Sequence, residues 1–336
     1  MLRFLATRVL AAIPVLLILS IVTFTIIKSQ PGDYGDYLKS MLMSQGNVSD
    51  QDAQKQADAY RAAHGLNLPL PLQYVNWVTG IVTRFDFGQS LYYNRPVGDV
   101  VAERLPRTIL LALTCHLLAS GIGISLGIVA ATRQYSWVDT LFGVVSFLGM
   151  TIPRFLMALI IIYILAFRLN VQEIGSFFSA KYGGAPWSWA KFVDLVQHIW
   201  PVVFIATFGG LAYNMRVMRG NLLDVLNAQY VETARAKGLS QSAVVLKHAV
   251  PNALQPLVAY QGVALPYMLT GEVEVAIVFG LPTVGPAIVG SLGVGDVWVT
   301  ATFMLVLSAT LLVGNIISDL LLALIDPRVR LSGSTA

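Results

Sequence analysis

Residues 9–28 read VLAAIPVLLILSIVTFTIIK, an apolar run with no charged residue before Lys28. A helix of about 20 mostly apolar residues spans the hydrocarbon core of a bilayer, so this run by itself predicts a membrane-spanning helix. Arg3 and Arg8 precede the run, as basic residues precede the apolar region of a signal peptide. The run is too long for such a region, and residues 28–31 (KSQP) offer no small-x-small cleavage site. We therefore expect an uncleaved membrane anchor.

The composition of the whole chain also indicates a membrane protein. Hydrophobic residues make up 56% of the 336 residues and charged residues 12%, about half the fraction that is usual in soluble domains. So few charges would not cover the surface of a soluble protein of this length, and a disordered chain would not be this apolar. Five further stretches are long and apolar enough to span a bilayer: 107–131, 138–167, 196–215, 257–281 and 299–325. The predicted fold class is an all-α membrane protein with six transmembrane helices.

The distribution of Lys and Arg predicts the orientation, because short loops rich in these residues stay in the cytoplasm. With a cytoplasmic N terminus, the short outer loops contain only Arg168, Lys181 and Lys191. The long loop after the first helix carries more basic residues, but loops of that length cross the membrane regardless of charge. We therefore expect both termini in the cytoplasm. The predicted divisions are a first transmembrane helix (1–30), an extracytoplasmic loop (31–106) and a transmembrane core domain (107–330).

The net charge of +4 accords with this orientation and does not indicate nucleic-acid binding. No Lys/Arg-rich cluster with interleaved aromatic residues occurs in the chain. The single cysteine, Cys115, excludes an intrachain disulfide and a zinc site built from cysteines.

The outer loop is the only long water-soluble stretch, and it has helical signals of its own. Ser49 is a suitable N-cap for a short polar helix that continues to Ala63. Residues 68–71 (LPLP) break that helix, and an amphipathic pattern resumes over 72–82. Tyr74 and Trp77 in this second pattern are residue types typical of the membrane interface, where we expect them to lie.

The loop between the fourth and fifth predicted spans, loop 219–251, has a distinctive pattern. Apolar residues recur at helical spacing over 219–237, which predicts one helix. Gly238 follows where a left-handed residue would end that helix, and Ser240 is placed to cap a second short helix that Pro251 interrupts. The small residues Ala228, Ala234 and Ala236 would form a face that another protein could approach closely.

This loop resembles a motif of the integral-membrane permeases of ATP-binding-cassette importers, E-A-A, three residues, G, nine residues, I-x-L-P. The chain keeps every spacing with Glu232-Thr233-Ala234, then Gly238, then residues 248–251 (HAVP). It departs from the motif at Thr233, His248 and Val250, which affects only the fine contacts of docking. The candidate coupling residues are Glu232, Thr233, Ala234, Arg235, Ala236, Lys237, Gly238, Leu239 and Pro251.

The remainder of the chain resembles one branch of these permeases, that of the dipeptide, oligopeptide and nickel importers. The matching motifs occur in order over nearly the whole chain: residues 31–33 (PGD), 87–90 (FGQS), 95–97 (RPV), 103–106 (ERLP), 230–239 (YVETARAKGL), 252–253 (NA), 279–282 (FGLP) and 326–330 (DPRVR). Arg154, Glu272 and Glu274 are atypical of the branch, in which an acidic residue usually falls near Ala276.

The resemblance implies that loop 219–251 is a coupling helix that docks in a groove of a cytoplasmic ATPase. It implies as partners a second permease of different sequence, two ATPase subunits and an extracytoplasmic substrate-binding protein, in a bacterial inner membrane. The chain has no G-x-x-x-x-G-K-[ST] phosphate loop and no catalytic motif, so we expect no enzyme activity and no cofactor, with ATP bound by the partner subunits. Short peptides are the expected substrate, and oligosaccharides or nickel are the alternatives within the branch.

Three charged residues fall inside predicted spans, where charge is costly and often functional. We expect Arg154 to pair with Glu272 or Glu274, or to line the transport pathway; a structural ion pair or a contact with the second permease is the alternative. Glu272 and Glu274 would point to nearly opposite faces of one helix and so would not act as a pair. His116 is expected to be a packed interior residue, and we predict no metal site.

The glycines of two spans predict close contact between helices. They are Gly121, Gly123 and Gly127 in the second span, and Gly209 with Gly210 in the fourth.

Two hypotheses from other classes compete with an importer permease. An ion-coupled secondary transporter would explain the intramembrane charges, but the absence of an inverted repeat does not favour it. A membrane-anchored scaffold without a transport role is the third hypothesis.

Overall fold

The computed structural model describes the backbone of residues 2–46, 48–171 and 173–325. Within these ranges it does not describe the side chains of residues 2–5, 261–263, 265–271, 318, 319 and 321–325. The motif at 326–330 lies outside the described residues.

The helices are α1 (Leu2–Lys28), α2 (Tyr34–Ser44), α3 (Asp50–Ala63), α4 (Leu70–Arg84), α5 (Val97–Thr132), α6 (Trp137–Thr151), α7 (Arg154–Tyr163), α8 (Trp189–Leu226), α9 (Gln229–Ala236), α10 (Gln241–Ala243), α11 (Val250–Gly271), α12 (Val273–Val278), α13 (Val284–Gly293) and α14 (Val297–Ile325). Two π-helical segments, Ile164–Arg168 and Val244–Ala249, follow α7 and α10, and strands β1 (Gln89–Ser90) and β2 (Arg95–Pro96) pair antiparallel.

Long apolar helices account for most of the predicted spans. Among the described residues, four helices are long and apolar enough to cross a membrane: Ala6–Lys28, Val97–Thr132, Trp189–Leu226 and Val297–Ile317. The bent pair Trp137–Thr151 and Arg154–Arg168 would make a fifth. The span predicted at 257–281 falls on α11 and α12, where many side chains are not described. The chain is thus a mostly helical membrane protein, and the count of six spans and the orientation stay predictions.

The third predicted span is not one straight helix, because α6 and α7 meet at an angle of 99°. Ile152 has an extended backbone with ψ of 123°, and Pro153 is the N-cap of α7. A residue before proline is driven out of the helical region by the proline ring, which accounts for the break. Arg154 therefore begins α7 instead of lying in the middle of a continuous helix.

The chain divides into two compact units. The first contains Met1–Thr108 and Thr283–Val313, and the second contains Ile109–Pro282 and Gly314–Ala336. Sequence reasoning did not predict that residues 283–313 join the N-terminal part. The divisions at residues 30 and 106 stay predictions.

In the first unit, α1 packs against α4 through aromatic side chains. The ring of Phe24 stacks on Trp77 with centroids 5.5 Å apart, and Tyr74 meets Phe24 edge-on at 5.5 Å. Trp77 is only 5% exposed and so is packed inside the protein, and its place at the membrane interface stays a prediction. The apolar area of an indole ring is stabilised more by this packing than by partial exposure.

Helices α2 and α3 are joined by an arginine–carboxylate network. Asp33 caps α2 by accepting the backbone N–H of Asp36, and Arg61 of α3 donates to both Asp33 oxygens from Nε at 3.1 and 2.9 Å. Burial alone would raise the pKa of Asp33, but its hydrogen bonds and its charge interaction with Arg61 hold the pKa below its usual range. The predicted cap at Ser49 is confirmed, since its hydroxyl accepts the Asp52 N–H at 3.2 Å.

A buried carboxylate in the first unit holds the segment around β1. Asp296 Oδ2 accepts the Ser90 hydroxyl at 2.8 Å and the backbone N–H groups of Leu91 and Tyr92 at 2.9 and 3.0 Å. Its second oxygen accepts the N–H of Val299 in the first turn of α14. Burial raises the pKa of Asp296, and these donors oppose the rise.

In the second unit, glycines bring α5 against α8. A Cβ on Gly123 would lie 2.6 Å from the Leu211 carbonyl oxygen, and one on Gly127 would lie 2.7 Å from that of Met215. The predicted close contact is therefore confirmed at these two glycines. Gly121 faces open space, so the prediction is wrong there. The close approach of the two backbones lets α5 and α8 pack with little intervening side-chain volume.

Candidate functional site

Loop 219–251 begins with a break that the sequence did not predict. Helix α8 ends at Leu226 and α9 starts at Gln229, so the single helix predicted over 219–237 is wrong. The Asn227 side chain donates to the Leu223 carbonyl at 3.2 Å, and Ala228 is extended with ψ of 144°. Asparagine side chains offer the backbone hydrogen bonds outside the helix, which favours an end at this position.

A bidentate ion pair holds the α8 side of this loop. Arg219 Nε lies 2.6 Å from Asp139 Oδ1, and Arg219 Nη2 lies 2.8 Å from Asp139 Oδ2. Asp139 is in the first turn of α6 and only 7% exposed. Two parallel hydrogen bonds between charged groups fix orientation better than one, so α6 and α8 are held together where the loop starts.

Helix α9 has one buried and one exposed face. Val231 and Ala234 are buried in a cluster that also contains Met218 and Leu222 of α8 and Leu257 of α11. Ala234 is thus covered by its own chain, and the prediction that it offers a small-residue face to another protein is wrong. The exposed face presents the remaining candidate residues of the motif in and after α9: Glu232, Thr233, Arg235, Ala236, Lys237, Gly238 and Leu239.

The turn after α9 has the predicted backbone. Gly238 has φ of +76°, in the left-handed region, and its N–H donates to the Arg235 carbonyl at 2.9 Å. Ser240 caps α10, because its hydroxyl accepts the Ala243 N–H at 3.4 Å. These two predictions are confirmed.

Pro251 does not interrupt the second helix, contrary to the prediction. The π-helical segment Val244–Ala249 precedes it, and the Val250 N–H donates to the Val245 carbonyl five residues earlier. Pro251 then falls in the first turn of α11, where it has no backbone N–H to donate. The chain after Ser240 thus remains helical into α11.

The intramembrane charges line one cavity, which we name the Arg154–Glu272 cavity. Its volume is about 680 Å³, within the range typical of ligand sites. Its polar lining residues include Cys115, His116, Arg154, Tyr213, Asn214, Tyr260, Glu272 and Glu274. They come from α5, α7, α8, α11 and the start of α12.

Glu272 and Glu274 do not lie on one continuous helix. Glu272 sits at the break between α11 and α12 and is 2% exposed, whereas Glu274 is exposed. Both line the Arg154–Glu272 cavity, and the expectation that they do not act as a pair stays a prediction.

Arg154 is half-buried at the first position of α7, next to a glycine of α8. A Cβ on Gly209 would lie 3.5 Å from both Nε and Nη2 of Arg154, so the glycine leaves room for the guanidinium. His116 also lines the cavity and is partly exposed, which corrects its expected place in the packed interior. Whether Arg154 pairs with either glutamate stays a prediction.

Sequence reasoning missed the aromatic wall of this cavity. The rings of Tyr213 and Tyr260 lie 4.7 Å apart at 39°. They belong to α8 and α11, and only the packing of these helices brings them together. No local pattern around either tyrosine would have indicated the pair.

Comparisons with known proteins accord with these observations. A family model described as binding-protein-dependent transport system inner membrane component matches residues 123–331, and a model of the N-terminal part of such membrane components matches residues 1–112. The oligopeptide transport system permease protein AppB of Bacillus subtilis is 34% identical over 331 residues, covering 98% of this chain and 100% of that protein. A putative peptide permease protein of Brucella suis is 33% identical over 99% of this chain and 100% of its own length. A probable peptide ABC transporter permease protein of Sinorhizobium fredii is 30% identical over 96% of this chain and 97% of its own length.

The long apolar helices, with the helix-turn-helix of loop 219–251, define an integral membrane protein. The chain belongs to the family of binding-protein-dependent transport system inner membrane components. It is therefore the permease component of an ABC transport system, and the resemblance inferred from the motifs is confirmed. Of the three hypotheses, membership of this family supports the importer permease.

Proposed function

We propose that this permease moves short peptides across the bacterial inner membrane by alternating access, driven by ATP hydrolysis in separate subunits. The proposed partners are a second permease of different sequence, two cytoplasmic ATPases and an extracytoplasmic binding protein. The names of the similar proteins support peptides as the substrate class. The observation that carries the coupling role is the two-faced α9, anchored by Val231 and exposed at Glu232.

The packing of α9 suits it to transmit force. Val231 shares one buried cluster with Leu222 of α8 and Leu257 of α11, so a pull on α9 acts on both long helices. Closely packed side chains do not deform freely, and a short helix moves as a rigid element. The exposed face of α9 would lie in a groove of the ATPase, and the buried face would pass the displacement into the membrane helices.

Helices α8 and α11 connect this loop with the Arg154–Glu272 cavity. Leu226 ends α8, and Tyr213 of the same helix lines the cavity. With a rise of 1.5 Å per residue, these two positions are separated by about 20 Å along the helix axis. Movement of α8 and α11 would alter the cavity, which we assign to the peptide pathway together with Arg154, Glu272 and Glu274.

Replacing two exposed acidic residues of loop 219–251, one on α9 and one on α8, tests the coupling role of α9. Glu232→Ala removes a carboxylate from the exposed face of α9, and Asp224→Ala removes one from an exposed position of α8 outside it. In proteoliposomes with the complete transporter, we expect Glu232→Ala to lower ATP-driven trialanine uptake by about thirtyfold or more, since truncating one partner of a buried interface charge pair costs about 2–5 kcal/mol. Membrane insertion should be normal for both variants. Equal uptake by the two variants would contradict the docking role of α9.

Dissipating the proton gradient while ATP is maintained distinguishes this function from an ion-coupled transporter. Uptake of trialanine should be unchanged under this treatment and should stop when ATP is removed. Loss of uptake with the proton gradient alone would favour the secondary transporter.

A further inference from the structure

Glu272 is a buried carboxylate that receives no hydrogen bond from the residues that the structure describes. It is 2% exposed, and within the described part of the chain neither of its oxygens has a hydrogen-bond partner. A buried charge without a partner is strongly unfavourable, and buried carboxylates are normally paired or hydrogen-bonded. The place of Glu272 on the cavity lining makes a ligand the natural source of that partner.

The lining of the Arg154–Glu272 cavity contains more acidic than basic side chains. Its lining contains two carboxylates, Glu272 and Glu274, and one guanidinium, that of Arg154. With His116 neutral and both carboxylates ionised, the lining carries one net negative charge whatever pairs Arg154 forms. A ligand with one positive charge would balance this charge, whereas an anionic ligand would increase it.

The tyrosine wall adds a second feature that favours a cation. Tyr213 and Tyr260 line the same cavity with their rings 4.7 Å apart. The face of an aromatic ring attracts ammonium groups, and the attraction is stronger where water is excluded. A carboxylate and aromatic faces in one cavity therefore form a combination suited to an organic cation.

We propose that Glu272, with the Tyr213–Tyr260 wall, binds an alkylammonium group of the peptide during its passage. This inference rests on the proposed function and adds the chemistry that the pathway recognises. Every peptide with a free N terminus carries an ammonium group, so such a site holds peptides without regard to their side chains. A lysine side chain offers the same group from a second position.

Three neutral or cationic probes test this site on the complete transporter, purified in nanodiscs without ATP and without the binding protein. Alanyl-alanine amide carries an N-terminal ammonium, N-acetyl-alanyl-lysine amide carries a side-chain ammonium, and N-acetyl-alanyl-alanine amide carries neither. Calorimetric titration should show binding of at least one ammonium probe and about tenfold weaker binding of the neutral probe. The comparison of the first two probes identifies which ammonium is bound.

Glu272→Gln should weaken binding of the ammonium probe by about tenfold or more, because the amide keeps the shape and loses the charge. Glu274→Gln is the matched control, since this residue is exposed in the same cavity, and we expect a smaller loss. If Glu272→Gln does not fold, the comparison of the three probes on the unaltered protein still tests the proposal. Equal binding of all three probes, absence of binding at millimolar concentration, or full retention in Glu272→Gln would overturn the proposal.

The probe titrations are independent of the uptake assay. A transporter that imports trialanine but does not distinguish the probes retains the proposed function and lacks the ammonium site. A transporter that binds the ammonium probes but imports no peptide has the ammonium site, and this result would contradict the proposed function.

Discussion

The left-handed turn at Gly238 allows a prediction that isolates backbone conformation from side-chain contact. A Cβ at Gly238 would meet nothing within 4 Å, so Gly238→Ala introduces no clash. With φ of +76°, the alanine would cost about 1–2 kcal/mol in the left-handed region. The lower entropy of its unfolded chain would offset about 0.4–1 kcal/mol of this cost. The turn should therefore be destabilised by about 1 kcal/mol, which raises the population of its open form about fivefold.

Two matched variants separate the backbone effect from the loss of a glycine. Gly238→Asn should have a smaller effect than Gly238→Ala, because asparagine tolerates the left-handed region better. Gly220 is exposed in α8, has no positive φ and has open space around its Cβ position. Gly220→Ala should therefore stabilise its helix by up to about 1 kcal/mol.

Hydrogen exchange and transport report the two consequences. The Gly238 N–H donates to Arg235 at 2.9 Å and the Lys237 N–H to Thr233 at 3.1 Å, so their exchange measures opening of the turn. In Gly238→Ala both amides should exchange about fivefold faster. ATP-driven trialanine uptake by the complete transporter should decrease from the unaltered protein through Gly238→Asn to Gly238→Ala, because the open turn no longer orients α9.

Equal losses in Gly238→Asn and Gly238→Ala would refute the reasoning, because a backbone cost must distinguish them. A comparable loss in Gly220→Ala would show that glycine removal anywhere near the loop impairs transport. Faster exchange with unchanged uptake would mean that the conformation of this turn does not matter for coupling.

Two further predictions concern other parts of the chain. Gly127→Ala should lower the free energy of unfolding of the detergent-solubilised complex by about 1–3 kcal/mol, because its Cβ would approach the α8 backbone to 2.7 Å. Gly121→Ala should have little effect, because a Cβ at this position would meet open space. The pKa of Asp33 is lower in the folded protein than in the unfolded chain, so its bonds with Arg61 contribute stability. This contribution is fully present above the unfolded pKa of about 3.9 and is lost as the pH falls through the folded pKa. The hydrogen-exchange protection factors of α2, which are corrected for the intrinsic pH dependence of amide exchange, should therefore decrease under acid conditions. Asp33→Asn should remove this part of the pH dependence, and a profile unchanged in Asp33→Asn would contradict the prediction.

Local signals in the sequence were sufficient where the structure depends on neighbouring residues. The cap at Ser49 and the turn at Gly238 follow from side chains and backbone preferences within a few positions, and both were predicted correctly. The end of α8 at Asn227 was missed, although its side-chain bond to Leu223 is also local, because the apolar spacing continues across the break.

The sequence by itself determined that this chain lies in a membrane, since a run of apolar residues such as 9–28 has no favourable place in water. It also determined the family, because motif spacing is preserved along the chain. Only the tertiary structure decided which face of α9 is free and that Ala234 is covered. It alone brought Arg154, Glu272 and Tyr213 to one cavity, because their meeting depends on the bend at Pro153 and on the packing of helices far apart in the chain.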